Sequence, residues 1–157
     1  MYEAVVFDND GVLLELTELD LHRRAAREAF GRIGVPDPDE EHVEAMSIGV
    51  TVPKLEAVCD YYSLDPDRFW RERDSLMARR QQDAIRRGEK GVYEDVGTLD
   101  ALDRPMGIVS SNQQATVEFG LRTFALAEHF ETIHGRGPAV ESLRRKKPDP
   151  YYLRQAL

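Results

Sequence analysis

Asp8 and Asp10 stand two residues apart beside Gly11, directly after a short apolar run, in the stretch "YEAVVFDNDGVLLEL" that begins at Tyr2. Such a pair can be a solvated turn, since Asp-Gly is a common turn sequence. It can also be a reacting pair, because a strand end holds one carboxylate still while a turn aims the next. Residues far along the chain supply what a displacement at phosphorus needs. "GIVSSN" ends an apolar run in the hydroxyls of Ser110 and Ser111, and "KKPDP" offers an ammonium group at Lys147. In that set Asp8, nearest the strand, would attack a phosphate ester and form an aspartyl-phosphate, splitting one hard displacement into two easier ones. Asp10 would protonate the leaving oxygen and later take a proton from the attacking water. Two carboxylates this close repel, which favours one keeping its proton and divides the roles.

A transferring phosphoryl group carries charge on its three equatorial oxygens, so the site needs donors and cations. Ser110 offers a hydroxyl, and the amides around Asn9 to Gly11 and at Ser111 can point inward as a backbone nest. Gly11 lets the main chain approach closely. Lys147 supplies a compact charge able to bridge nucleophile and phosphate. Mg²⁺ held by hard oxygen ligands would complete the neutralisation. Ser110, Ser111 and Asn112 also suit the N-cap of a following helix, and a capped helix start is itself an anion site.

These groups must be positioned by the elements around them. Ala4 to Phe7 reads as a central parallel strand covered on both faces. From Thr17 to Arg87 the chain is almost all helix. Leu21, Ala25, Ala26, Ala29 and Phe30 recur at helical spacing and stop at Gly31. A second helix runs roughly from Val52 to Tyr62, and a third from about Asp67 to Arg87, behind an N-cap in Asp65-Pro66-Asp67. Val96, Leu99 and Leu102 suggest a short helix, "RPMGIVSSN" a turn, a buried strand and a polar stop, and Gln114 to Leu126 a helix. "HFETIHG" is a third strand, and "KKPDPYYLRQAL" starts a last helix with Pro148 and Pro150 in its first turn. Alternating strands and helices specify a parallel α/β sheet, whose reactive groups gather at the carboxyl ends of the strands. Asp8, Asp10, Ser110, Ser111 and Lys147 all fall there.

The 157 residues suit one compact domain, or a small core with an inserted lid. A net charge of −8 excludes the positive field of a nucleic-acid binder. No apolar run reaches bilayer length and no leader-like start is seen, so a cytoplasmic protein is expected. Cys59 is the sole cysteine and reads as a small buried hydrophobe. Four lysines stand against seventeen arginines, which with the acid excess points to a salt-adapted source or to a biased genomic composition. Phe69, Trp70, Tyr61 and Tyr62 read as packing between helices. The four histidines have no ligand spacing among them.

"FDNDGVL", "GIVSSN" and "KKPDP" resemble, in order and interval, the first three motifs of the haloacid dehalogenase-like hydrolase superfamily. The helical insert after the first motif resembles the cap of its phosphoglycolate phosphatase-like and β-phosphoglucomutase-like branch. The resemblance implies a three-layer, Rossmann-like α/β core at residues 1–16 and 88–157 and a helical cap at 17–87, hinged near 12–17 and 88–95. It implies Asp8 as nucleophile, Asp10 as general acid/base, Ser110 as phosphate donor and Lys147 as the third-motif lysine. Mg²⁺ is implied on the Asp8 carboxylate and the main-chain carbonyl of Asp10. Haloacid dehalogenases proper usually lack the second aspartate, so Asp10 favours phosphate chemistry. The implied function is a phosphatase of a small phosphorylated metabolite, with phosphoglycolate as the family default. A β-phosphoglucomutase-like phosphomutase and a non-catalytic module are the alternatives.

The superfamily's fourth motif, an acidic pair or "GD…D" after a fourth strand, has no counterpart before Leu157. The chain is therefore expected to be a fragment, to borrow the strand from a partner, or to be a decayed relative. In the resembled core that strand lies beside the first, so "AVVF" is expected as an open apolar edge inviting self-association. Weak Mg²⁺ binding by these 157 residues is expected for the same reason.

Overall fold

Residues 3–157 are described by the computed structural model, and the chain divides into two compact units. The first comprises Met1–Leu16, Gln82–Gly137 and Arg145–Leu157, and the second Thr17–Gln81 with Pro138–Arg144.

The first unit is built on three parallel strands, β1 (Val5–Phe7), β2 (Met106–Gln113) and β3 (Thr132–Arg136), in that spatial order. Phe7 lies opposite Ile108, and Ile108 opposite Ile133. Apolar residues set this register by sharing a core with Leu13, Leu14, Ile85, Val117, Leu121 and Phe130. Helix α5 (Gln114–Thr123) makes the crossover from β2 to β3, and α7 (Tyr151–Ala156) follows β3 and packs on β2 and β3. Gly120 lets α5 close on the segment after β1, since a Cβ there would lie 2.6 Å from Leu14 Cδ2. The result is an α/β layer structure of a parallel sheet flanked by helices.

The second unit is helical. It holds α1 (Leu19–Arg32), α2 (Glu40–Ala45), α3 (Val52–Tyr62) and most of α4 (Pro66–Arg86), whose last residues, 82–86, belong to the first unit. Phe30, Leu55, Cys59, Phe69, Trp70 and Leu76 form its core. Caps set the helix starts: Thr51 Oγ1 accepts the Lys54 amide at 3.4 Å and Asp65 Oδ1 the Arg68 amide at 2.7 Å.

Several expectations need correction. Among the described residues β1 is an edge strand, as expected where the fourth strand is absent, and it is half-buried, where its apolar pattern alone suggested a central strand covered on both faces. Helix α1 runs past Gly31 and stops where Gly34, at φ +95°, turns left-handed and the Val35 amide bonds back to Phe30. The polar residues Ser110 to Gln113 continue strand β2, because Gln113 still pairs with Arg136 of β3 after an irregularity. Pro148 and Lys147 precede α7 in a turn and do not open it. Residues 82–87 lie with the sheet unit because Ile85 packs in its core. Residues 138–144, with the short helix α6 (Glu141–Arg144), lie with the helical unit because Val140 and Leu143 pack there. Tyr61 is exposed, with its ring tilted against His42 and edge-on to Tyr62, and it is not among the residues of the helical core.

Candidate active site at the ends of the parallel strands

Every candidate residue lies in the sheet unit. Because β1 and β2 run parallel, the segments that leave them start from the same edge of the sheet. Beyond Phe7 the chain folds back at once. The Asn9 carbonyl accepts the amides of Leu13 at 2.9 Å and Leu14 at 3.0 Å, and the Gly11 amide donates to the Leu14 carbonyl at 2.7 Å. Gly11 sits at φ +81°, which a side chain would strain, so the Asp-Gly pair makes the turn that carries Asp8 and Asp10. Leu13 and Leu14 anchor the far end of this turn in the core.

Asp8 is exposed. Its Oδ1 accepts the Asn9 amide at 2.8 Å and stands 2.8 Å from Nζ of Lys147. The turn that presents Lys147 is closed by the Asp149 amide on the Lys146 carbonyl at 3.0 Å. Asp149 itself is spent on the start of α7, where its Oδ1 accepts the Tyr151 amide at 2.8 Å.

Asp10 is held from several sides. Its Oδ1 accepts a hydrogen bond from the ammonium of Lys90, and its Oδ2 accepts Nδ2 of Asn112 at 3.0 Å and of Asn9 at 3.4 Å. Ser110 is buried on β2, and its Oγ accepts the Asn112 amide at 3.1 Å, which leaves the hydroxyl hydrogen for another acceptor. Ser111, next on the strand, is half-buried. Of the amides expected as inward-pointing donors, those of Asn9 and Gly11 are engaged within the turn, the first by the Asp8 carboxylate and the second by the Leu14 carbonyl. The Asn9 side chain is buried.

Lys90 and Asn112 were not singled out from the sequence. Asn112 was legible only as a helix cap. Lys90 sits inside "RRGEKG", which in the sequence reads only as a break in the helical pattern. Its one signal was scarcity, a lysine where the chain otherwise uses arginine.

Two ammonium groups here face two carboxylates, so the cluster is close to neutral before any substrate arrives. A phosphate monoester adds further negative charge, which a divalent cation would offset. The donor set fits a hard cation such as Mg²⁺. Oδ2 of Asp8 and the main-chain carbonyl of Asp10 accept no hydrogen bond among the described residues, and both are hard oxygen ligands.

Among curated proteins no sequence relative matches. Solved structures share the fold at low identity. A protein from Lactobacillus plantarum assigned as a phosphoglycolate phosphatase is 21% identical, with a TM-score of 0.62 over 99% of this chain and 70% of its own. One from Thermotoga maritima assigned as a beta-phosphoglucomutase is 21% identical, with a TM-score of 0.58 over 99% and 69%. One from Clostridium difficile assigned as a phosphatase is 22% identical, with a TM-score of 0.51 over 85% and 60%. The chain thus spans 60 to 70% of the length of these relatives. The sequence profile of one family matches residues 5–157, through the turn of Asp8 and Asp10, the end of β2 and the Lys147 turn. The chain belongs to the haloacid dehalogenase-like hydrolase family.

Proposed function

We propose that the protein is a Mg²⁺-dependent phosphatase of a small phosphorylated metabolite, working through an aspartyl-phosphate on Asp8. The observation that carries this is the contact of Lys147 with Asp8 beside a separately held Asp10. One carboxylate is thereby set against a cation that can also meet a phosphate oxygen. The other is oriented by Lys90 and Asn112, which reach it from other elements.

In the first half-reaction a carboxylate oxygen of Asp8 bonds to phosphorus as the ester P–O bond breaks. Asp10 gives its proton to the departing oxygen. In the second, water bonds to phosphorus, loses a proton to Asp10 and releases the Asp8 carboxylate and inorganic phosphate. The Ser110 hydroxyl and the Lys147 ammonium bind the equatorial oxygens, where charge must be met throughout, with the main chain at Ser111 alongside. Mg²⁺ on Asp8 and the Asp10 carbonyl would supply charge neutralisation to the phosphoryl group. The setting proposed is cytoplasmic; no helix among the described residues is long and apolar enough to cross a membrane.

Phosphoglycolate is the first substrate to try, supported by the assignment of the Lactobacillus plantarum relative. The Thermotoga maritima relative keeps a phosphomutase in view, since the same residues could return the phosphoryl group to a sugar. The test is phosphate release from a panel of phosphomonoesters by the whole protein with Mg²⁺. Turnover is expected for the wild type and none for Asp8→Asn; undiminished turnover by Asp8→Asn overturns the proposal. Accumulation of a sugar bisphosphate during turnover would assign the mutase.

A further inference from the structure

We propose that Lys90 is a positioning residue, which together with Asn112 fixes the Asp10 carboxylate in the orientation that delivers a proton to the leaving oxygen; it rests on the phosphatase reading above. Lys90 is 1% exposed, whereas lysine is almost never buried without a partner. Its ammonium meets Oδ1 of Asp10. Asn112 meets Oδ2 of the same carboxylate at 3.0 Å from a different element, the end of β2. A side-chain carboxylate bound at one oxygen can still turn about its Cβ–Cγ bond. Bound at both oxygens from two directions, it cannot. Oδ2 also takes Nδ2 of Asn9, but Oδ1 accepts the Lys90 ammonium and keeps a further lone-pair direction, so the clamp does not consume the site of proton transfer.

The support behind Lys90 is equally defined. Its neighbour Gly91 donates its amide to Glu15 Oε2 at 2.9 Å and accepts the Glu15 amide at 2.9 Å, and the Tyr93 amide donates to the Leu13 carbonyl at 3.1 Å. This short antiparallel ladder ties the Lys90 main chain to the segment that follows the Asp8–Asp10 turn. A buried ion pair is a poor way to gain stability, since well-packed apolar residues do as well or better. Beside a proton-handling acid it has a different use. Proton transfer needs heavy atoms within about 3 Å of each other, and a misplacement of about 1 Å can cost about a hundredfold in rate.

The test compares two esters on the whole protein: 4-nitrophenyl phosphate, whose leaving group departs as a stable anion, and a simple alkyl phosphate, whose leaving group needs the proton. Asp10→Asn is expected to lower kcat/KM on the alkyl ester by about 10²–10⁴ and on the nitrophenyl ester far less. Lys90→Met is expected to show the same selectivity, with a loss of about a hundredfold on the alkyl ester, carried by kcat with KM nearly unchanged. In the Asp10→Asn background, Lys90→Met should add nothing. Circular dichroism establishes whether Lys90→Met folds; should it not, Asn112→Ala, which leaves the buried ammonium paired with Asp10, must show the selective loss. Equal losses on the two esters, or additive losses in the double variant, overturn the proposal for Lys90. Absence of selectivity in Asp10→Asn itself instead removes the proton-transfer role of Asp10, and with it the reading on which the inference stands.

Discussion

Nζ of Lys147 stands 2.8 Å from Oδ1 of Asp8, although one residue lies in the turn before α7 and the other directly after β1. Both side chains are substantially exposed, so the pair adds little to stability and is open to a ligand. Its value lies in where it leaves the ammonium. A cation that already faces the nucleophile can meet the phosphoryl oxygens as they approach, without first being moved.

Lys147→Ala is therefore expected to lower kcat by about 10²–10³, the usual cost of losing one group aimed at transition-state charge, while the unfolding temperature hardly changes. Lys147→Arg keeps the charge but replaces a compact ammonium with a broad planar fork, and should recover only part of the loss. Steady-state kinetics beside thermal unfolding checks both. A Lys147→Ala variant with wild-type kcat would remove this residue from the site.

Ser110 is a different case because its side chain is buried and already bonded to the Asn112 amide at 3.1 Å. Ser110→Ala removes the donor proposed for phosphate and leaves that amide without its acceptor. The expected result is a kcat lower by about 10²–10³ together with a stability loss of about 1 kcal/mol. Ser110→Thr keeps a hydroxyl and should retain most of the rate. Measuring the two variants side by side separates the loss of the donor from the loss of the packing.

What could be read in the sequence was what local periodicity encodes. Helix α3 covers Val52–Tyr62 as its pattern suggests, and Phe69, Trp70 and Cys59 are buried because helical spacing brings each to the core side. The motifs at Asp8, Ser110 and Lys147 could be ordered along the sheet edge because parallel strands collect their carboxyl ends together. The remainder depends on contacts distant in the chain. Strand β2 runs on through Ser110 to Gln113 because β3 pairs with it, although a polar run reads locally as a loop. The six-residue α2 is too short to show a period. Val140 and Leu143 join the helical core with no local sign of it. Lys90 carries no local sign of a role, and only the fold reveals that its ammonium is buried against Asp10.

Cys59 is fully buried in the helical core, and burial pushes its thiol up to about 11. The thiolate is the reactive form, so the folded protein should resist a disulfide reagent at pH 8 and react with one equivalent once unfolded in guanidinium. A raised value also fixes the sign of a stability term. The contribution is fully present below the unfolded thiol's value near 9 and is lost as pH rises through about 11. Cys59→Ala should flatten that part of the pH–stability curve. Rapid labelling of the native protein at pH 8 would show that the helical core opens far more readily than its packing implies.

Glu28 on α1 joins two arginines of the helical unit, Arg80 of α4 at 2.6 Å and Arg32 of its own helix at 2.8 Å. The hydrogen bond from Arg80, reinforced by Arg32, holds the Glu28 carboxyl below its ordinary value of 4.5. A depressed value means the charged form is favoured by folding, so the stabilisation is present above about 4.5 and disappears as pH falls below it. Glu28→Gln should accordingly destabilise the helical unit at pH 7 by about 0.5–1 kcal/mol, less in high salt, where exposed pairs are screened. The difference from wild type should vanish toward pH 3. Trp70, the only tryptophan in the chain, is buried in this unit and reports its unfolding by fluorescence. A gap between wild type and Glu28→Gln that stays constant from pH 7 to pH 3 would show that the glutamate acts through packing and not through its charge.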